Sequence, residues 1–535
     1  MLVSVPRGYP ERTLAAAALI GIVVLVAVGI NRPVWLDEAN SVLVASRGFQ
    51  GIIDSLRREN NLPGYYFLLS IWMRLFGDSE IALRSLSALF YLSGAGAAAA
   101  LGKRLSGEMR CGWYSGFFYI LSPLAARNAQ NIRMYALLGL LSGLSILAFL
   151  KLCADKDRSL GAWIGFVAAT AAGLLTHVWF GFVVAGQFLA LLVWERSEAR
   201  RFAIAAVATA APLAVWWGPY FIEQSRDGAT DWMARLSVPV AVTAVTEFYG
   251  LVPAAILYFL AAVMLARGRV PVTNRVRLIG VILSASLAVP LLICAVKPIY
   301  WPGRYVIIAL PAVAALLGTA LAALPRPLLS GLCLLLLGFG AATHVAQRDA
   351  VPEAQLPEGQ SDRTTASFLL QHAAPGDAVV FTSLTRAAAD YYFRRAQAGK
   401  RFVEISFPQE VENHLGWADP TVPPARQVAL EAEAAATAGR LREIAATGRK
   451  VWLYEGFAVP VSSILKEKID SEWTLRNQYA LSGPYHRQIL EYDYRQSNAW
   501  STPATVAPGV ASAALARHPT TPSGRTNTAP DGVIP

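Results

Sequence analysis

Over its first 345 residues the chain alternates long apolar runs with short polar loops, a pattern that few folds accommodate. A run of roughly 20 apolar residues matches the hydrocarbon thickness of a bilayer, and its repetition excludes a soluble enzyme held by a single anchor. The composition agrees: 55% of the 535 residues are hydrophobic and 16% are charged, where soluble domains carry about 25% charged residues. The chain therefore reads as a polytopic α-helical membrane protein. The first run, Leu14 to Ile30, is followed by Asn31, Arg32, Pro33 and Val34, which form no small-residue cleavage site, so it is expected to stay as a helix. Further spans are expected at 85–105, 112–124, 133–151, 160–176, 178–194, 202–218, 240–264, 279–296, 305–323 and 328–346. With the first, that makes about eleven transmembrane helices.

The formal net charge of +11 raises the question of nucleic acid. The basic residues are scattered among short loops rather than gathered in a stripe with aromatics, so no nucleic-acid partner is expected. Membrane topology accounts for them: with the first helix starting inside, Lys103, Arg104, Arg110, Lys151, Arg196, Arg267, Arg275 and Arg326 all occupy cytoplasmic loops. The loops at Asn31–Tyr66, Arg127, Asp227 and Lys297 then face outward, as does everything after Gln347. The four cysteines, Cys111, Cys153, Cys294 and Cys333, form neither a disulfide framework nor a spaced metal motif.

The loop from Asn31 to Tyr66 carries the chemistry-bearing residues. Asp37 and Glu38 fall just beyond the first span, where carboxylates can act on a lipid-borne substrate; the plainer alternative is that Asp37 merely caps the next helix. Within SVLVASRGFQGIIDSLRRE, Ile52, Ile53 and Leu56 share one helical face and Asp54, Arg57 and Arg58 another, the pattern of outer helices lying on the membrane interface. LPGYYFLLSIWMRLF, led by Tyr65 and Tyr66, is short for a span and reads as a re-entrant or interfacial helix.

Further charges recur near the outer surface. Arg127 and Arg133 oppose the usual bias, and an uncompensated arginine at membrane depth costs at least about 2.5 kcal/mol, so a carboxylate or phosphate partner is expected. Glu247, inside VTAVTEFYGLVPA, and His177, in LLTHVWF, sit at comparable depth; packing and site roles both remain open for His177. KPIYWPGRY places Lys297, Trp301, Arg304 and Tyr305 in one loop stiffened by Pro298 and Pro302. Two cations beside a membrane make an anion clamp, although loop cations also touch bulk lipid phosphates.

Beyond Asp349 the pattern changes. A helix at 361–375 leads through Pro-Gly-Asp to a strand at Ala378–Phe381; a second helix and a glycine turn lead to a strand at Lys450–Tyr454; and YHRQILEYDY reads as a third strand. The division expected is a transmembrane catalytic domain at 1–347, an extracytoplasmic α/β domain at 348–500 and a disordered Ser/Thr/Pro/Ala-rich tail at 501–535. Neither strand end carries a glycine-rich phosphate loop, so no nucleotide site is expected there.

WLDEANSVLVASR, NLPGYYFLLSIWMRLFGDSEIALRSLSAL, NIRMYALLGLLSGLSILAFL, THVWFGFVVAGQFL and KPIYWPGRYVIIALPAVAAL, in that order over residues 10–345, resemble bacterial membrane glycosyltransferases of the C-type (GT-C) fold. The nearest group is the protein mannosyltransferase-like family, with the lipid A aminoarabinose and rhizobial lipopolysaccharide transferases. The resemblance implies inverting transfer of a sugar from a polyprenyl-phosphate carrier to an envelope glycan, lipid or protein acceptor. It further implies a multi-pass protein of the bacterial inner membrane with its site outside. The family's acidic pair corresponds to Asp37 and Glu38, the first acid being catalytic. Its His-Pro-Pro-Leu-Tyr-Tyr pattern is met only partly by Asn61, Leu62, Pro63, Gly64, Tyr65 and Tyr66, and its glutamate before Arg-Met-Tyr is Asn131 here. Both departures remove a possible ligand or base, and a divalent metal stays open, with no cofactor required.

On this reading Asp37 is the base, Glu38 organises the loop, and Arg133, Lys297, Arg304 and Tyr305 hold the donor phosphate. Asn61, Tyr65, Tyr66, Asn131, His177, Glu247 and Trp301 are substrate-pocket candidates, and the outer domain shapes acceptor access. Two other classes compete. A lipid-linked saccharide transporter or flippase should show half-chain repeats, which are not evident, and an envelope scaffold would need only the external domain.

Overall fold

The computed structural model describes residues 30–57, 59, 61–157, 159–226, 230, 233–346, 362–413, 422–455, 459–480 and 488–494. Residues 14–29 of the first expected span, Arg58, Asp227 and the tail at 501–535 lie outside them. The described helices are α1 (Leu36–Ala45), α2 (Gly48–Leu56), α3 (Pro63–Phe76), α4 (Glu80–Ser106), α5 (Met109–Ile120), α6 (Pro123–Ala129), α7 (Tyr135–Phe149), α8 (Leu160–Thr176), α9 (Phe180–Trp194), α10 (Arg196–Arg226), α11 (Val238–Thr246), α12 (Leu251–Ala266), α13 (Asn274–Cys294), α14 (Leu310–Leu321) and α15 (Arg326–Ala346). Then follow α16 (Asp362–His372), β1 (Ala378–Thr382), α17 (Arg386–Arg395), β2 (Val403–Phe407), α18 (Glu410–Asn413), α19 (Pro424–Ala446), β3 (Val451–Glu455), α20 (Val459–Glu472), β4 (Trp473–Ala480) and β5 (Gln488–Tyr494).

Helix α4 is the spine. Gly77, at φ +81°, ends α3; Ser79 then caps α4 by accepting the Ala82 N–H, and Gly107 at φ +82° closes it after Lys103 and Arg104. Its 27 residues run about 40 Å, enough to separate the two ends of the bundle. Glycines let α4, α5 and α14 approach closely, as small residues do where lipid supplies no hydrophobic drive: a Cβ at Gly102 or Gly318 would collide with Ser115.

Among the described residues, four helices are long and apolar enough to cross a bilayer unaided: α4, α7 continued as a π-helix to Ala154, the Arg196–Glu223 part of α10, and α13. The pair α11 and α12, bent by 68°, makes a fifth if it is one broken span. The bend falls at Gly250, whose φ is +85° and whose missing Cβ leaves room for the Phe339 ring. The expectation of about eleven full spans is corrected to this extent. At the other expected places the apolar helices α8, α9, α14 and the Arg326–Gly340 part of α15 run 10–17 residues, and α5 runs 12, short of the roughly 20 that a bilayer requires. Four of these five are cut by a local break: His177 between α8 and α9, Pro123 starting α6 after α5, and a 3-10 turn at Tyr305–Ile308 before α14.

The two ends of the bundle are held differently. At one, Asp155 pairs with Arg104 and with Arg275, Nη2 to Oδ1 2.6 Å, joining three loops that the charge pattern assigns to one side. At the other lie α1, α2, α3, α6 and the 297–305 loop. On α2, Ile52 and Leu56 are buried, Ile53 is half-buried and Asp54 is exposed, in line with the expected faces; on α3, Tyr65, Tyr66 and Leu69 are buried, while Leu68, Ile71, Leu75 and Phe76 are exposed.

The C-terminal domain is built on one five-stranded sheet, order β2-β1-β3-β5-β4. β1 pairs in parallel with β2 and β3, while β5 runs antiparallel to β3 and β4. The three strands expected from the sequence are β1, β3 and β5. β2 and β4 were not read: β2 is a five-residue strand in which polar Glu404 and Ser406 alternate with Val403, Ile405 and Phe407, and β4 is the polar-rich WTLRNQYA. Helix α17 of this domain packs directly on α1.

Candidate active site

Adjacent residues on a helix point about 100° apart, and the first turn of α1 sends its two acids to different tasks. Glu38 turns inward, 1% exposed. Its carboxylate takes both Nε (3.1 Å) and Nη2 (2.5 Å) of Arg84 and also accepts the Ile132 N–H at 2.9 Å. Arg84 is fully buried, and its remaining hydrogens go to the carbonyls of Ile30 (3.1 Å), Arg32 (2.6 Å) and Pro33 (3.0 Å). All five guanidinium donors are thus used. This bidentate pair fixes the chain leading into α1.

Asp37 turns the other way. Its Oδ2 lies 3.3 Å from Nη2 of Arg304, with both side chains about one quarter exposed, and Arg304 also stands 5.8 Å from the centre of the Trp35 ring. The loop presenting Arg304 is fastened from behind by Glu247, which accepts the Tyr300 hydroxyl at 2.6 Å and the Gly303 N–H. Asn128 donates to the Gly303 carbonyl at 3.1 Å. Gly303 has φ +79°, the left-handed region that favours glycine, and a Cβ there would lie 2.9 Å from the end of the Arg127 side chain, Nη1.

Arg133 is the second buried cation at this end, 8% exposed. It donates to the Asp37 carbonyl (3.4 Å), Ser41 Oγ (3.2 Å) and Asn61 Oδ1 (3.5 Å). Tyr305 stacks on Trp179, 5.0 Å between centroids, and meets His177 and Tyr135 at 5.1 and 6.0 Å. The His177 Nδ1 accepts the Trp179 N–H at 3.2 Å. Burial, reinforced by the Arg133 and Arg304 charges, pushes the His177 imidazole down to about 3, so it is a neutral acceptor at ordinary pH. Tyr65 and Tyr66 are fully buried, their hydroxyls toward Ser87 and Ser41. Asn131 gives its carbonyl to Ser87 at 2.7 Å, and Lys297 and Trp301, both half-buried, stand on the Arg304 loop.

Three residues of this end were not singled out in the sequence. Arg84 carried a signal, a cation at the start of the apolar body of α4, which needs a partner. Glu80, one turn before it, takes Arg363 at 3.0 Å and Arg395. Glu59 accepts from Asn40 at 3.2 Å beside the Arg133 group; burial raises its carboxyl, with the Asn40 hydrogen bond and the Arg133 charge opposing that rise.

Among the described residues no three His, Cys, Asp or Glu side chains converge on a point. The nearest carboxylates are committed to Arg84 and Arg304, and asparagines stand at 61 and 131. This donor set does not fit a divalent ion.

Residues 60–218 match the family described as dolichyl-phosphate-mannose-protein mannosyltransferase. No curated protein matches the chain. Among solved structures, ArnT from Cupriavidus metallidurans superposes in the apo state with a TM-score of 0.60 at 14% identity, and bound to undecaprenyl phosphate with 0.62 at 13%; each comparison covers 90% of this chain and 97% of ArnT. The fold is that of the C-type membrane glycosyltransferases. Arabinofuranosyltransferase AftD from Mycobacteria matches the same fold at TM-score 0.52 and 17% identity, over 90% of this chain and 41% of AftD. The resemblance to GT-C-like, polyprenyl-phosphate-dependent glycosyltransferases, read from the ordered sequence motifs, thus holds in fold, and the family match falls on residues 60–218.

Proposed function

We propose that the protein transfers a sugar, with inversion, from a polyprenyl-phosphate carrier to an envelope glycan, lipid or protein acceptor. The observation that carries this reading is the pairing of Asp37 with Arg304 at the end of the bundle that bears the C-terminal domain, beside Arg133. The fold is shared with an enzyme solved with undecaprenyl phosphate bound. Asp37 takes the proton of the acceptor hydroxyl, whose oxygen attacks the anomeric carbon from the face opposite the phosphate. The anomeric carbon–oxygen bond breaks, and the polyprenyl phosphate leaves with that electron pair, its charge held by Arg304, Arg133 and Lys297. An incoming phosphate competes with Asp37 for Arg304, so donor binding itself frees the base.

Tyr305, stacked on Trp179, walls the phosphate site, and Asn61, Tyr65, Tyr66, Asn131, His177 and Trp301 line the sugar side. Glu247 serves this pocket by holding the 297–305 loop. The catalytic domain is 1–347, the outer α/β domain 348–500 and the tail 501–535. The protein sits in the bacterial inner membrane with the Asp37 end outside.

The test is Asp37→Asn in the purified full chain. It is expected to keep thermal stability and undecaprenyl phosphate affinity but lose at least 1,000-fold in transfer of radiolabel from polyprenyl-phosphate hexose or pentose to envelope extract. Wild-type turnover would remove Asp37 as base. Movement of labelled lipid across liposomes without any glycosidic product would replace the enzyme by a transporter.

A further inference from the structure

The outer domain does more than lie near the site: it holds the backbone on which the acid pair is built. Val34, 1% exposed, is three residues before Asp37, and its N–H donates at 2.8 Å to the hydroxyl of Tyr392 on α17. This bond joins residues far apart in the chain across a buried contact. Arg363 of α16 hydrogen-bonds Tyr392 and reaches Glu80 Oε1 at 3.0 Å. Arg395, also on α17, takes the other oxygen of Glu80 and donates to the Tyr391 hydroxyl at 3.0 Å. Tyr391 in turn donates to the Asp78 carbonyl at 2.8 Å. The outer domain therefore grips the first turn of α4 and the entrance to α1 together.

One turn along α4, Arg84 binds Glu38 and three carbonyls of the same 30–38 segment. That segment is held from opposite directions, its carbonyls by the membrane bundle and the Val34 N–H by the outer domain. The Val34 N–H bond to Tyr392 ties the turn before Asp37 to α17, which also packs on α1. A buried N–H left without this acceptor would favour a shift of the turn toward any other partner. An ångström of such a shift is enough to misplace a base.

We infer that Tyr392 of the outer domain is a positioning residue for Asp37, with Arg363 and Glu80 orienting its hydroxyl. The inference rests on the transfer reading proposed above and deepens it. The domain is part of the transfer apparatus, and loss of the Tyr392 hydroxyl acts on turnover rather than on substrate affinity.

Tyr392→Phe in the full chain removes one oxygen and retains the ring. With radiolabelled polyprenyl-phosphate hexose or pentose and envelope extract, kcat is expected to fall at least tenfold. KM for acceptor and affinity for undecaprenyl phosphate should stay within twofold. Hydrogen exchange of peptides spanning residues 33–43 should quicken, with no change at the Arg104–Asp155 end. Arg394→Ala, which removes a part-exposed hydrogen bond to Ser46 and a 4.0 Å ion pair with Asp78 on the same face but nothing on the Val34 segment, should retain wild-type kcat. Unchanged kcat in Tyr392→Phe, or lowered kcat with unchanged exchange over 33–43, overturns the positioning role. Should Tyr392→Phe not fold, Arg363→Gln is measured the same way and the same two outcomes decide. Asp37→Asn with wild-type turnover would instead sink the transfer reading, and the exchange measurement separates that failure from this one.

Discussion

Side by side in sequence, Asp37 and Glu38 are chemically alike and structurally opposite. Glu38 and Arg84 form a desolvated pair with every donor of the guanidinium used, and such a pair is costly to break because the survivor stays buried and charged, about 3–5 kcal/mol when one partner is removed. Asp37 has one cationic partner and partial access to solvent, so its neutralisation leaves Arg304 able to rehydrate. Glu38→Gln is therefore expected to lower the melting temperature and the membrane yield clearly, while Asp37→Asn does not. Replacing both partners by apolar residues, Glu38→Met with Arg84→Leu, should recover part of the loss. Scanning calorimetry or fluorimetry in detergent checks the ranking. If Glu38→Gln melts like wild type and loses all turnover, the two acids exchange roles. The sequence placed this pair near the site, but it could not say which acid faces inward. That depends on Arg84, 46 positions away, and only packing reveals it.

At the scale of an element, the loop from Lys297 to Tyr305 was legible as a cation-bearing turn because prolines and aromatics punctuate it. Its means of support was not legible. Glu247 read as a buried acid seeking a partner; the partners are the Tyr300 hydroxyl and the Gly303 N–H, backbone and side-chain groups that no charge pattern advertises. The same limit explains the span count. Composition marks where apolar runs lie, but the breaks at Gly250 and at Tyr305–Ile308 are backbone events within runs that look continuous. Gly303 offers a clean test of the loop. Gly303→Ala must hold alanine at φ +79° and push its Cβ against Arg127, whereas Gly48→Ala meets the same backbone cost, about 1 kcal/mol, in open space at φ +74°. Gly303→Ala is expected to reduce turnover at least tenfold and weaken undecaprenyl phosphate binding. Gly48→Ala should reduce stability slightly and leave turnover within twofold. Equal behaviour of the two variants would mean that the Arg304 loop tolerates displacement.

For the whole molecule, the docking of the outer domain has its own titration. Behind the α17 surface that meets α1, Arg386 stands among three carboxylates: Asp390 at 3.3 Å, Glu404 at 3.7 Å and Glu412 at 3.4 Å. Burial first, then the neighbouring Asp390, push Glu404 up to about 8 from its ordinary 4.5, with Arg386 opposing; burial raises Asp390 as well. The folded domain thus keeps a proton that the unfolded chain gives up near 4.5. The unfolded state binds fewer protons throughout that interval, so stability declines with rising pH. The stabilising contribution is fully present below pH 4.5, falls as pH rises through about 8, and is absent above it. Because Asp390 lies on the helix that carries Tyr392, loosening of α17 should reach α1. Melting temperature is expected to fall between pH 6 and pH 9 in the wild type, and hydrogen exchange over residues 386–395 to quicken in the same interval. Glu404→Gln, which keeps the hydrogen-bonding shape without the titrating proton, should flatten both dependences and leave the pH 6 values close to wild type. A wild-type melting temperature that is level from pH 6 to 9, or a Glu404→Gln slope as steep as the wild-type one, would show that these acids do not share the proton that holds α17 in place.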